Sequence, residues 1–203
     1  MPSKEELDLV KKLAEKKEVF SEYDVGLCVE LLNFIKNDNE LKEFHERFQL
    51  ECENISDVIE KAKEEEKSPV LLEILKIHND GFRFSKGNAS ALADTDSKFH
   101  NTLYDMNFNF KLIQKARDNI LAGGEPIRIW QSIIQNDNHY RKLIDAHSNI
   151  VTSIENYNDA SSEKIAITAM QQHFAIIIIH YIQQLNPKSS PRVSGNKVNT
   201  RPK

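Results

Sequence analysis

Cysteine is scarce in this chain. Cys28 and Cys52 are its only two, too few and too scattered for a disulfide framework or a thiolate zinc site. Breakers are also few, with six Gly and six Pro in 203 residues, and several of the prolines crowd the C-terminus. A body with so little punctuation favours long helices over many short strands. A long hydrophobic run is missing too: the longest, Phe174 to Ile179, falls far short of the ~20 residues a membrane span needs. The N-terminus, MPSKEELDLVKKLAEKKE, is charged throughout and unlike a cleavable signal, so the expected location is the cytoplasm, with no membrane partner. The net charge is −4, but the stretch from Asn186 to Lys203 holds five bases and no acid, which leaves −9 on residues 1–185. An acidic body argues against a nucleic-acid surface on the core.

What is present is helical periodicity. Leu7, Val10, Leu13 and Ala14 describe an amphipathic helix over residues 3–18, with Ser3 and Glu6 as its capping box. Tyr23 to Leu31 alternates like a strand, yet Leu27, Leu31, Phe34 and Ile35 fit a helical stripe and no second strand offers to pair, so a helix is expected. After the break at Asn37-Asp38-Asn39, apolar positions from Leu41 to Ala62 recur at gaps of three, four and seven. Ser68-Pro69 reads as an N-cap followed by a first-turn proline, and Gly87-Asn88 separates that helix from the next, which ends near Met106. Phe110 to Leu121 is expected to be a helix stopped by Gly123-Gly124. A helix carrying Trp130, a long one from His139 to about Tyr157, and a last one from Ser161 to Leu185 follow. Ile176 to Ile179 is strand-like by propensity but lies in a helical frame with Ala166, Ala169, Met170 and His173. The reading is all-α: a helical arm over residues 1–39, an antiparallel bundle of about six helices over 40–185, and a disordered basic tail over 186–203.

Four residues suggest chemistry. Asp96 and His100 lie one helical turn apart and point the same way, while His147 and His173 sit mid-helix on the last two long elements. If those helices are neighbours, one carboxylate and three imidazoles converge on a divalent metal, Zn or Ni with Mn or Fe as alternatives. On spacing alone a mid-helix histidine is more often an ordinary core or surface residue. His45 and His78, on polar or mixed stretches, are expected at the surface. His139 reads as a polar neighbour of the site and His180, seven residues after His173, as an outer partner or alternative ligand. Trp130 reads as packing or a dimer surface, and Glu60 to Lys67 as a solvated face.

The local sequence adds a resemblance. Gly87 to Leu112 carries Asp96, Phe99, His100, Leu103 and Asn109 in the order of the Asp-x-x-Phe-His segment of FCD-type domains. The run NHYRKLIDAHSNIVTSIENYND holds His147 in the place of that family's metal histidine, and Ala166, Ala169, Met170 and His173 match its Ala-x-x-Ala-Met-x-x-His ending. RFQLE, from Arg47 to Glu51, resembles the Arg-x-x-Leu-Glu of the first FCD helix. Residues 40 to 185 thus resemble the FCD ligand-binding domain of GntR-family transcriptional regulators. The resemblance implies a metal- and acid-sensing domain, not an enzyme, in a homodimer, with Asp96, His100, His147 and His173 as metal ligands. It also implies Arg47 as anchor for the carboxylate of a small organic acid, although a surface ion pair accounts for Arg47 equally well.

Two departures from the family pattern stand out. Tyr157 to Ser162 lengthens a turn, where it should not move the ligands. Residues 1–39 show no winged helix-turn-helix, so DNA is expected to be bound only weakly or indirectly. The competing readings are a metalloenzyme with the same ligands and a metal-free helical interaction protein.

Overall fold

The computed structural model describes residues 4–15, 22–35, 42–64, 68–107 and 127–185. Among these residues there are eight helices and no strand. They are α1 (Lys4–Glu15), α2 (Glu22–Ile35), α3 (Lys42–Glu64), α4 (Pro69–Phe84), α5 (Ala89–Met106), α6 (Ile127–Gln135), α7 (Asp137–Glu155) and α8 (Ser162–Leu185). The all-α expectation holds, with six of the described helices falling within residues 40–185. Ser3 of the expected capping box, the break at Asn37-Asp38-Asn39, the helix from Phe110 to Leu121 with its glycine stop, Asn109, and the tail from Asn186 lie outside the described residues.

Local chemistry sets the boundaries. The Ser68 hydroxyl accepts from the Leu71 amide at the start of α4, with Pro69 in the first turn, where its missing N–H costs nothing. Asn88 caps α5 through the Ala91 amide, and Asn136 caps α7 through the His139 amide. Between α4 and α5, Gly87 takes a φ of 88°, the left-handed conformation that suits glycine, so the chain reverses within four residues. The lengthened turn before α8 is tied internally: the Ser161 amide and hydroxyl both donate to the Asp159 carboxylate, and the Ser162 hydroxyl donates to the Asn156 carbonyl.

α8 is the axis of the bundle. It packs against α1, α2, α3, α6 and α7, most extensively against α7. Its Ala166, Ala169, Met170, Phe174 to Ile179 and Ile182 are all buried. This is the one described helix long and apolar enough to cross a membrane, and its sheath of five helices accounts for that composition without one. The strand propensity of Ile176 to Ile179 is overridden because a helix buried on every side gains from large apolar residues at successive positions.

Side-chain pairs fix the directions. Tyr140 Oη donates to the Phe82 carbonyl and Asn79 meets Ser148, so α4 runs antiparallel to α7. Ser56 meets Glu163 while Phe44 packs on Phe174, so α3 runs antiparallel to α8. α3 and α5 run parallel, with Glu51 beside His100 and Asn54 beside Asn107.

Some surface expectations fail. His45 is buried and meets Phe48 edge-on, because the α3 face carrying it turns inward with Phe44 and Phe48. His78 is half-buried. Lys61, expected on a solvated face, donates to the Asn107 side chain at 2.9 Å. Trp130 is buried in the core and packs there, not on a surface.

Candidate metal centre

The four residues singled out from spacing converge. One ligating atom from each of Asp96, His100, His147 and His173 lies within 4.8 Å of every other, and all four side chains are buried. α5 supplies Asp96 and His100 one turn apart, α7 supplies His147 and α8 supplies His173. Asp96 Oδ1 stands 3.3 Å from His147 Nε2 and 3.7 Å from both His100 Nε2 and His173 Nε2. The two last-named nitrogens are 3.3 Å apart. Ligand atoms held ~2.1 Å from one ion sit about 3.0–3.4 Å from each other at octahedral to tetrahedral angles. These four separations lie within a few tenths of an ångström of that range, and the whole set closes within 4.8 Å.

The outer contacts of the rings decide which nitrogens face inward. His147 Nδ1 lies 2.7 Å from the Leu143 carbonyl, which can only accept, so Nδ1 carries the hydrogen and Nε2 turns a lone pair toward Asp96. His100 Nδ1 lies 3.0 Å from Glu51 Oε2, an ion-pair contact that leaves Nε2 for the centre. His147 Nε2 and Asp96 Oδ1 face one another as acceptors, and without a metal the only positive charge among these groups is a proton on His100, whose place a divalent ion would take. Among the described residues no hydrogen-bond donor satisfies Asp96 Oδ1 or His147 Nε2. Buried polar atoms are rarely left in that condition. This group could therefore hold a divalent metal ion.

The surroundings keep the centre dry. Phe82 stacks on His147 with centroids 3.9 Å apart, and Phe99 meets the same ring edge-on at 4.6 Å. Phe174 closes the side of His173 at 5.2 Å. Burial lowers the pKa values of His147 and His173, holding both rings neutral, the form that ligates. His100 behaves oppositely: burial disfavours its charge, but Glu51 and then Asp96 outweigh that and push it up to about 10. Burial alone would raise Asp96, yet His100 and His173 hold its carboxyl well below the usual range.

Glu51 is the residue that sequence reasoning quoted without giving it a role. It is fully buried, supports His100, and lies 3.8 Å from Arg47 Nε. Tyr104, whose hydroxyl pKa is raised by burial and by Glu51, borders the same spot. Arg47 itself is buried and sits over the Phe174 ring, 5.6 Å from its centroid. It thus forms an ion pair, but inside the bundle and one residue removed from the Asp96 and histidine group, not on the surface.

His139 and His180 leave the centre altogether. His139 Nδ1 is 2.8 Å from His180 Nε2, and His180 Nδ1 is 2.8 Å from the Ser132 hydroxyl. The pair sits two turns away along the same α7–α8 seam, so neither ring is a neighbour of the ligands or an alternative to them.

Comparison with protein-family models, with curated proteins and with solved structures finds no match to this chain. Its functional reading therefore rests on the site and on the fragments quoted from its sequence.

Proposed function

We propose that this chain is the effector-sensing domain of a GntR-like transcriptional regulator of the cytoplasm, binding a divalent metal, Zn or Ni, and a small organic acid. The observation that carries the reading is the convergence of three inward-turned imidazole nitrogens on Asp96 Oδ1 in a dry interior. Four protein ligands leave two positions on a six-coordinate ion, which a carboxylate fills, while Arg47 approaches from the α3 side through Glu51. Sensing is favoured over hydrolysis because the carboxylates at the centre are engaged, Asp96 with the three imidazoles and Glu51 with His100 and Arg47. Metal and acid then bind with positive coupling, each raising the other's affinity by the same factor.

Elemental analysis of the purified protein, followed by calorimetry with citrate and lactate with and without Zn or Ni, tests this. The expected result is roughly one ion per chain and acid binding that depends on it. The substitution His147→Ala should cost metal and acid affinity together. Acid binding indifferent to both metal and H147A, or a purified protein that takes up no divalent ion, would sink the proposal.

A further inference from the structure

α3 and α5 meet along a polar seam. Glu51 Oε2 lies 3.0 Å from His100 Nδ1, and further along both helices a second group forms around Asn107, the residue that ends α5. The Asn107 side chain is fully buried. Its amide nitrogen donates to Asn54 Oδ1 at 2.9 Å and to Asp57 Oδ2 at 3.2 Å, and its amide oxygen accepts from Lys61 Nζ at 2.9 Å. A carboxylate only accepts and an ammonium only donates, so Asp57 and Lys61 fix which way the amide faces. The Asn107 backbone N–H returns to the Tyr104 carbonyl at 3.0 Å and closes the last turn of α5.

The spacing ties this clip to the candidate metal centre. Asp57 and Lys61 stand four apart on one face of α3 and grip opposite ends of one neutral amide, which suits a single alignment of the two helices. From His100 to Asn107 along α5 is ~10 Å, and from Glu51 to the middle of the stretch from Asn54 to Lys61 along α3 is also ~10 Å. The Glu51–His100 contact and the clip therefore belong to the same parallel alignment. A slip of one turn would present His100 with Arg47, a cation that only donates, or with the neutral amide of Asn54. The half of α5 that carries Asp96 has its own tie to α4, Ser85 Oγ to Thr95 Oγ1 at 3.3 Å. The half beyond His100 is tied to α3 through Asn107.

We propose that Asn107 is a positioning residue of the candidate metal centre. By clipping the end of α5 to α3 it sets the alignment in which Glu51 meets His100, and through Glu51 it sets the direction of the ring whose Nε2 faces Asp96. The inference rests on the reading of Asp96, His100, His147 and His173 as a metal site, and on nothing about the acid or the regulator. An outer partner acts on a metal through the aim of its ligand, so a ligand slightly turned holds the ion less tightly without unfolding the chain. Asn107 lies two helical turns from His100, so its effect reaches the ion through the α3–α5 alignment.

Titration of the full chain with cobalt(II) tests it, because the visible absorption of the bound ion reports ligand geometry as well as occupancy. Asn107→Asp sets a carboxylate against Asp57 and removes both donated bonds. It should weaken cobalt binding by ~10-fold and shift the spectrum of the bound ion. Adding Asp57→Asn restores an amide–carboxylate pair with the partners exchanged. Asn54, whose Nδ2 is buried with no acceptor among the described residues, can turn its amide to donate to the new carboxylate. The double variant should therefore recover the native affinity and spectrum. Urea unfolding without metal reads the structural share separately. Affinity and spectrum unchanged in N107D while the urea midpoint falls would overturn the proposal, as would a double variant that recovers the midpoint but not the spectrum. If N107D does not fold, Lys61→Met, which removes only one of the three side-chain bonds, must show the same loss in smaller degree, and no loss there overturns the proposal. A native chain that takes up no cobalt would instead remove the metal site itself, and this role with it.

Discussion

His100 lies between Glu51 and Asp96, and its protonated ring is the cation that balances two buried carboxylates. A metal ion entering the centre must displace that proton. With the pKa at about 10, metal binding near pH 7.5 should release close to one proton per ion, seen as a dependence of the calorimetric enthalpy on the ionisation enthalpy of the buffer. An ordinary imidazole would place the loss of affinity near pH 6.5. Here affinity should climb as pH rises toward about 10, because the proton competes across that whole window. Glu51→Gln removes the acceptor that holds the ring in place and the charge that raises its pKa. It should lower metal affinity by about 10- to 100-fold and cut the proton release together. Weaker binding with proton release unchanged would show that Glu51 acts on structure alone. The convergence of the four side chains was legible because a helix puts i and i+4 on one face and because His147 and His173 sit mid-helix on long elements. Glu51 was not legible as a partner: it is one of 31 acidic residues, and its meeting with His100, 49 positions away, is a product of the α3–α5 packing. The pairing of His139 with His180 was hidden for the same reason.

At the scale of elements, caps and periodicity carried most of the fold. Ser68 caps α4 as its residue type suggested, Asn88 and Asn136 cap α5 and α7 through the same kind of bond, and the stripe of α3 packs as its spacing implied. What periodicity could not supply was the partner of each face, so the inward turn of His45 and the parallel course of α3 and α5 came only with the tertiary arrangement. The α4–α5 corner shows how sharply one position can matter. Gly87 holds a φ of 88° with open space around its Cα, so Gly87→Ala meets no side chain and suffers only the backbone penalty. That cost should be about 1–2 kcal/mol, read as a shift in urea midpoint with the m-value unchanged. Asn88→Ala, which leaves the Ala91 amide without its acceptor, should cost ~1 kcal/mol, whereas Asn88→Gly should cost a few tenths. Because Asp96 and His100 lie on the second and third turns of the same helix, loss of this cap should also weaken metal binding slightly. Equal effects of the Ala and Gly substitutions at Asn88 would argue that the cap contributes little.

At the scale of the whole molecule, the buried histidines make the fold sensitive to acid. His139 is pushed down to about 4, by burial first and then by Lys142, and His180 to about 3, by burial first and then by His139. Both lie well below the ~6.5 of an unfolded chain. A group whose folded pKa is depressed contributes its full stability above the unfolded value and loses it as pH falls. Each of these rings should therefore remove roughly 1 kcal/mol per pH unit between about 6.5 and its folded pKa, with the unfolded state taking up the proton. The bond pattern fixes the mechanism: Ser132, His180 and His139 tie α6, α8 and α7 together through neutral rings, and charging either imidazole sets a cation against its neighbour's ring in a site that excludes water. His147 and His173 act in the same direction in the metal-free protein, so the comparison is cleanest with the centre saturated by metal at each pH. Unfolding free energies measured by urea at pH 6.5, 5.5 and 4.5 should then fall steeply for the native chain. They should fall less steeply for the double substitution His139→Asn with His180→Gln, whose amides keep hydrogen-bonding capacity without a titratable nitrogen. A native profile that is flat across that range would mean the pair opens to water at little cost, and that these three helices are held by their apolar contacts alone.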